Sequence, residues 1–394
     1  MNAHVADDRF NVDPWLLTAT TGLLVFGTIM VSSASIAFAD GSMGKPHFFL
    51  SRHLVALAIG CAGALAVARI PCDTWYRRSG LILLVAFALL VSVFIPGLGH
   101  TVNGSTRWLS LGPLSLQPSD PARLCLMVYL SSYVVRHHER VRTTMRGFIW
   151  PLAIVALACA LLLAEPDFGA AAVLTATSLG ILFIGGARLL PFAFCLATAV
   201  ASMAYLATSS DYRLQRLIGF LDPWADPFDS GFQLTQSLIA IGRGEWLGVG
   251  LGESVQKMFY LPEAHTDFVF AVLAEELGFL GGTVAVVLYG AVVIRALAMG
   301  PRANAAGLPF QAILSSAIGL TLGIQAFINI GVNIGLLPTK GLTLPLMSYG
   351  RTSVVITLVS LGLLARIHHE VVAASSEVVR TRRKKRPRSR ERRP

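Results

Sequence analysis

An aspartate at the head of a long apolar run is the residue in this chain best placed to move a proton. Asp267 sits in His265–Thr266–Asp267–Phe268–Val269–Phe270, where polar sequence gives way to an unbroken hydrophobic stretch. Partial desolvation at such a boundary raises a carboxylate's pKa while leaving it within reach of water, which suits a general base. The same position fits a helix N-cap, a role aspartate fills well, and the residues alone leave both readings open. Glu275 and Glu276 follow about two helical turns deeper, with Glu276 placed to face a bundle. Cations cluster near the ends of neighbouring apolar runs: Lys45, Arg52, Arg107, Arg123, Lys340 and Arg351. Arg213, Arg216, Arg243 and Lys257 lie in the polar stretch that leads to Asp267. Arginine forks bind phosphate bidentately and lysine acts as a point charge. The competing reading is ordinary pairing with Asp120, Glu165, Asp167, Glu253 and Glu263, or snorkelling to headgroups.

The elements that must position these groups are membrane helices. The chain of 394 residues is 54% hydrophobic and 14% charged, whereas a soluble domain carries about 25% charged residues. Apolar runs long enough to cross a bilayer recur along it. They predict an all-α polytopic fold with about ten spans: Trp15–Phe38, Phe48–Ala68, Gly80–Pro96, Pro121–Val135, Phe148–Ala164, Phe168–Gly185, Leu189–Ala207, Phe268–Ile294, Leu308–Ile330 and Thr352–Ile367. The first run follows Asp7, Asp8 and Asp13 rather than a basic segment, so it reads as a retained span and not as a signal peptide.

An even number of spans puts both termini on one side. The net charge of +10 is concentrated in a tail that carries eleven Lys and Arg after Ala365. By the positive-inside rule the tail, Arg69, Arg77, Arg78, the Arg136–Arg146 segment, Arg188, Arg295 and Arg302 are cytoplasmic. The organisation is then a cytoplasmic N-terminal segment (1–14), a transmembrane domain (15–367) and a basic, disordered cytoplasmic tail (368–394). The transmembrane domain contains a large extracytoplasmic loop (208–267) between the seventh and eighth spans. Within that loop Gly231–Gly242 has the pattern of an interfacial helix. The cations named above fall on the outer side, against the rule, and ionisable groups there tend to face a cavity or a partner. A cationic cavity open to the outer leaflet has an anionic lipid headgroup, best a pyrophosphate, as its natural guest.

Several chemistries are excluded. The five cysteines lack metal-ligand spacing and four of them lie inside apolar runs; the nine histidines show no ligand spacing either. No phosphate-cradling glycine loop or dinucleotide fingerprint is present, which argues against ATP-driven transport within this chain. Asn103–Gly104–Ser105 and Gly112–Pro113 read as turns.

Four long stretches closely resemble the SEDS family (shape, elongation, division, sporulation). They are NGSTRWLSLGPLSLQPSDPARL (103–124), EPDFGAAAVL (165–174), Phe220–Gly278, and NIGVNIGLLPTKGLTLPLMSYG (329–350). Within the family, RGEWLGVGLGESVQK and LLPTKGLTLP are similar to the division branch. The resemblance implies a peptidoglycan glycosyltransferase of the bacterial inner membrane at the division septum, polymerising lipid II, a disaccharide-pentapeptide on undecaprenyl pyrophosphate. It further implies a class B penicillin-binding protein as transpeptidase partner, with other divisome membrane proteins.

By that resemblance Asp267 is the essential acid and Arg107–Trp108 the family's Arg–Trp pair. Lys340 matches its PTKG lysine, and Ser348 lies in its SYG turn. Gln117–Arg123 matches a QPSE-x-x-K segment, with Asp120 in place of Glu and Arg123 in place of Lys. Arg351 stands where a second glycine is usual. Asp120, Arg123, Arg213, Arg216, Lys340 and Ser348 join Arg107 and Trp108 as candidate substrate contacts. No cofactor is required; a divalent cation (Mg or Mn) could assist the pyrophosphate, though the sequence offers no ligand cluster. The rival readings are a lipid II flippase, which needs a path from both sides, and a non-catalytic septal scaffold.

Overall fold

The computed structural model describes residues 10–102, 105–111, 114–208, 219–229, 231–339 and 341–385. Among them are thirteen helices and one small sheet. In chain order these are α1 (Pro14–Met43), α2 (Phe48–Ala68), α3 (Cys72–Arg77), α4 (Ser79–Ser92), β1 (Gly99–Val102), β2 (Ser105–Leu111), β3 (Leu114–Leu116), α5 (Ser119–Arg136), α6 (His138–Thr143), α7 (Met145–Ala164), α8 (Phe168–Ile184) and α9 (Leu189–Thr208). There follow α10 (Phe232–Gly244), α11 (Val269–Ala305), α12 (Pro309–Asn333) and α13 (Arg351–Lys385). Each apolar run read from the sequence falls on one of these helices. Six of the helices (α1, α2, α7, α11, α12 and α13) are long and apolar enough to cross a membrane, and α4 and α8 are shorter apolar helices. The fold is that of a multi-pass, essentially all-α membrane protein.

Local chemistry sets the helix ends. Pro14 occupies the first turn of α1, and the Asp13 carboxylate accepts the amides of Trp15 (3.0 Å) and Leu16 (3.4 Å). Asp13 also receives the guanidinium of Arg295 from α11. Phe10 stacks on His369 of α13 at 4.8 Å. The described N-terminal residues and the C-terminal half of α13 therefore meet at one end of the bundle.

Helix packing relies on small residues. A Cβ on Gly60 of α2 would lie 2.6 Å from Leu358, and one on Gly362 of α13 would lie 2.5 Å from the Ala64 carbonyl. Bare backbone at these crossings lets α2 and α13 approach closely, as membrane helices do. Leu126, Leu130, Leu174, Leu182, Leu314 and Ile318, from α5, α8 and α12, fill the middle.

Two features depart from plain helices. The segment 99–116 is a three-stranded antiparallel sheet in the order β1-β2-β3, with Val102 opposite Ser105 and Leu111 opposite Leu114. The residues Asn103–Gly104 and Gly112–Pro113, expected to be turns, lie outside the described residues. The second feature is a break in α11 at Gly278 (φ 67, ψ −166). Residues 245–250 splice into it. Val249 and Gly250 donate to the carbonyls of Glu275 (3.0 Å) and Glu276 (3.1 Å), and Phe279 and Leu280 donate to those of Glu245 (2.9 Å) and Trp246 (3.2 Å). The backbone groups freed by the break are thereby satisfied within the protein, the condition for irregular chain at membrane depth. A Cβ at Gly278 would sit 2.4 Å from the Gly248 nitrogen, so the splice requires glycine there.

The expected interfacial helix is α10. It buries Leu234, Thr235, Ser237, Ala240 and Gly244, and Ser237 donates to the Asn333 carbonyl at 2.8 Å. It is fastened to α12 by that bond instead of resting on lipid alone.

Candidate active site

Asp267 stands in the turn that precedes α11, half-buried, and the N-cap position of that helix belongs to Phe268. The aspartate is thus outside the helix it introduces. The turn is tight: the amides of Thr266, Asp267 and Phe268 all converge on the Glu263 carbonyl at 3.1–3.2 Å. Three further elements hold it. Tyr349 N–H donates to the His265 carbonyl at 2.8 Å. The His265 ring lies among Phe38, Phe49 and Tyr349, with centroids 4.6–5.8 Å away. The carbonyl of Asp267 accepts two side-chain amides from α12, Asn329 Nδ2 at 2.9 Å and Asn333 Nδ2 at 3.0 Å. Gly341 passes so close that a Cβ there would be 3.1 Å from Asp267 Oδ2.

Burial holds the His265 imidazole below its ordinary pKa, opposed by the Glu263 carboxylate. Burial also raises the Tyr349 hydroxyl, opposed by Arg351 and Arg52. Both rings are therefore neutral at physiological pH, which leaves Glu263 and Asp267 as the carboxylates of this turn, with Thr266 Oγ1 donating to Glu263 Oε2 at 2.6 Å.

A second limb approaches from the sheet. Arg107 on β2 donates from Nε to the Glu165 carbonyl (3.1 Å) and from Nη2 to the Pro166 carbonyl (2.6 Å). Its neighbour Trp108 pairs with His100 across the β1–β2 ladder. Asp167 caps α8 by accepting the Ala170 amide at 3.0 Å, and its other oxygen accepts Gln117 Nε2 (3.1 Å) and Ser119 Oγ (3.4 Å). Gly169 packs on Leu342, which follows Gly341. The Glu165–Phe168 corner thus links the sheet to the loop beneath Asp267. The Glu165 carboxyl is buried, and burial, reinforced by Asp167 and opposed by Arg107, pushes its pKa up to about 8. A carboxyl so placed is neutral at pH 7.

The structure distributes the remaining candidates unevenly. Arg351 reaches Ser115 Oγ, while Thr352 Oγ1 accepts the Gln117 amide at 3.0 Å, so β3 is seated on the start of α13. Arg52 is exposed, with its guanidinium 4.0 Å from the Phe48 ring centroid. Ser348 is buried, and its Oγ accepts the Leu344 amide at 2.8 Å, which shapes the loop after Lys340.

Asp120 and Arg123 form an ion pair at 3.2 Å inside the bundle. They line a pocket of about 10 Å³ with Thr321, Gln325, Thr357 and Ser360, room for about one water. Lys257 is also interior: its Nζ meets Glu276 Oε1 at 2.7 Å, Ser33 Oγ at 2.9 Å and the Gly252 carbonyl at 2.6 Å. Arg243 approaches Glu275 at 3.7 Å. Lys257 and Glu276 answer one another, as the pairing alternative has it for cations in general. Arg213, Arg216 and Lys340 lie outside the described residues. Among the described residues no group of three or more His, Cys, Asp or Glu side chains is arranged to hold a metal ion.

Asn329 and Asn333 escape a reading based on charge. Their signal is positional: two amides four residues apart on one face of an apolar run, inside the 329–350 stretch already singled out.

A family model described as cell cycle protein, named for FtsW, RodA and SpoVE, matches residues 14–372. The chain belongs to this FtsW/RodA/SpoVE family. Among its members, the probable peptidoglycan glycosyltransferase FtsW of Thioalkalivibrio sulfidiphilus is 53% identical over 92% of this chain and 90% of its own. The protein of the same name from Nitrosococcus halophilus is 53% identical over 91% and 92%. Among solved structures, a chain from a study of how a peptidoglycan synthase complex coordinates polymerisation and crosslinking superposes with a TM-score of 0.74 at 27% identity, covering 92% of this chain and 99% of that one. The rod shape determining protein RodA of Thermus thermophilus superposes at 0.66 with 26% identity, covering 91% and 97%. The motifs that build the turn at Asp267, the Glu165 corner and the 341–350 loop all fall within the matched family region.

Proposed function

We propose that this chain is a peptidoglycan glycosyltransferase that polymerises lipid II into glycan strands at the division septum, with Asp267 as general base. The observation that carries the reading is the placement of Asp267. It is a carboxylate held outside its helix, at the same end of the bundle as Arg52, Arg107 and Arg351, in a chain about half identical to relatives named for this activity. In the reaction the 4-hydroxyl oxygen of the acceptor sugar attacks the anomeric carbon of the donor. The carbon–oxygen bond to pyrophosphate breaks, and undecaprenyl pyrophosphate leaves with the electron pair. The hydroxyl proton passes to the Asp267 carboxylate. Arg107 and its neighbouring cations oppose the charge that develops on the leaving group. A single displacement inverts the anomeric centre, so one base suffices and no covalent sugar–enzyme intermediate forms. A divalent cation would assist only at the pyrophosphate.

The orientation follows from charge. The end that carries Asp13, Arg295 and His369 faces the cytoplasm, and the sheet, Asp267 and residues 219–267 face outward. A class B penicillin-binding protein supplies the transpeptidase, with other divisome membrane proteins around the pair.

The test is purified protein with its transpeptidase, given labelled lipid II in liposomes. Glycan chains should form, persist when the transpeptidase is blocked by a β-lactam, and vanish with Asp267→Ala. Chains made equally well by Asp267→Ala would remove the base from the mechanism. Transbilayer movement of lipid II without any chains would favour the flippase instead. Sidedness is read separately by Phe228→Cys in a background without native cysteines, since Phe228 is fully presented to the surroundings. Labelling by an impermeant maleimide from the cytoplasmic side alone would invert the topology and defeat the proposal.

A further inference from the structure

We infer that Asn329 and Asn333 are positioning residues for the catalytic aspartate, and that they lock it to the loop carrying Gly341 and Leu342. The inference rests on the assignment of Asp267 as base. Asn329 and Asn333 stand four residues apart on α12, one turn and the next at the end of the helix. They are 2% and 0% exposed, so each polar atom they carry must be answered within the protein.

The bonds they make tie the end of α12 to the site and to the start of α11. Asn329 Nδ2 bridges the Asp267 carbonyl (2.9 Å) and the Leu342 carbonyl (2.5 Å). Asn333 Nδ2 donates to the same Asp267 carbonyl (3.0 Å) and to the Asn329 carbonyl (2.8 Å). Asn333 Oδ1 accepts the Ala271 amide at 3.0 Å, a first-turn N–H of α11 that it shares with the Phe268 carbonyl (3.1 Å). The pair therefore fixes three things against one rigid helix: the carbonyl of Asp267, the start of α11, and the strand of chain one residue beyond Gly341. Ser237 of α10 completes the mount by donating to the Asn333 carbonyl at 2.8 Å.

A general base must meet its proton within hydrogen-bond reach, and a displacement of about 1 Å can cost about 10²-fold in rate. Asp267 follows a non-helical turn, and no helix register fixes it. The amide clamp substitutes for that register. Gly341 closes the arrangement from the other side, because the 3.1 Å clearance to Asp267 Oδ2 leaves the carboxylate one seat while position 341 lacks a side chain.

The experiment compares Asn333→Leu, Asn329→Leu and Gly341→Ala with the unmodified protein and its transpeptidase, using labelled lipid II. Leucine keeps the branched skeleton of asparagine and removes its donors and its acceptor. Gly341→Ala leaves every amide bond in place and presses on the carboxylate instead. Each variant is expected to lower kcat by about 10-fold to 10²-fold with KM within about 2-fold, because substrate contacts are intact and only the base is misplaced. Asn329→Leu combined with Gly341→Ala should be less than multiplicative, since both perturb one group.

The outcome against the inference is clear from the same data. Unchanged kcat in Gly341→Ala, or a rise in KM that matches the loss in kcat/KM, would assign these residues to substrate binding or to mere packing. A variant that fails to fold is recognised by its thermal transition in detergent, and Gly341→Ala, at a position that is itself exposed, keeps the question open to an answer. If the unmodified protein makes no glycan, the parent assignment of function fails; if it does and the variants are normal, only the clamp fails.

Discussion

Lys257 and Glu276 are the sharpest test of how this protein holds the loop that precedes α11. Their charged atoms are 2.7 Å apart, and the side chains are 6% and 0% exposed. At an effective dielectric of about 20 the Coulomb attraction over that distance is roughly 6 kcal/mol. The cost of desolvating two ions consumes most of it, so the pair as a whole contributes little net stability. Breaking it is another matter. Lys257→Met leaves Glu276 Oε1 with the Ser33 hydroxyl (2.6 Å), and Glu276 Oε2 is buried without a partner among the described residues. An uncompensated carboxylate in that setting costs about 3–5 kcal/mol. Lys257→Met with Glu276→Gln removes both charges and should cost less than about 2 kcal/mol, which gives a coupling of about 2 kcal/mol or more between the sites. The assay is unfolding of the purified protein in mixed micelles with increasing denaturing detergent, followed by tryptophan fluorescence, for the two single variants, the double variant and the parent. A single-variant cost below about 1 kcal/mol, or a double-variant cost equal to the sum of the singles, would refute the buried ion pair as described.

Three further predictions follow from other parts of the fold. Gly278→Ala should destabilise the protein by more than about 2 kcal/mol in the same assay, because a Cβ there meets the Gly248 nitrogen at 2.4 Å and the backbone has φ 67. Glu165 has its folded pKa raised to about 8, so its contribution to stability is complete below the unfolded carboxylate value and declines as pH rises toward 8. Glu165→Gln should therefore match the parent at pH 4 and exceed it in thermal midpoint at pH 8, and a midpoint difference independent of pH would contradict this. Arg107→Lys keeps the charge but cannot reproduce donation to both the Glu165 and Pro166 carbonyls. It is expected to lower kcat/KM for lipid II by about 10-fold, and full activity would show that the fork is dispensable.

Much of the architecture was legible because the bilayer imposes a simple rule. The apolar run Phe48–Ala68 matches its helix to the residue and the other runs fall on helices with shifted ends, since backbone polar groups in lipid must be satisfied internally. What escaped was structure made by contacts across long sequence separations. The three strands between Gly99 and Leu116 are too short to show a sustained alternation of apolar and polar residues. The break in α11 is invisible in Leu277–Gly278–Phe279–Leu280, a stretch as apolar as its flanks, because its cause is the loop that inserts there.

The site was legible in part. Asp267 drew notice by its place at a boundary. Phe268, and not Asp267, stands at the N-cap position of α11, a matter of one residue that no pattern resolves. Arg123 and Lys257, by charge alone, looked like parts of a phosphate pocket. Asp120 and Glu276 answer them in the interior. Asn329 and Asn333 carry only the positional signal of two amides on one face of an apolar helix, and that spacing does not say which groups they hold.

The pairing of residues 245–250 with 275–280 has a consequence for chain connectivity. The stretch between them is a closed handle whose two feet are stapled together by four main-chain bonds and by the grip of Glu275 on Ser254 and on the amides of Val255 and Gln256. A protease that nicked the handle at its exposed Met258–Tyr260 crest would sever the polypeptide without freeing either stump. The two pieces would migrate apart only under denaturation, and the clipped protein would retain its shape in mild detergent.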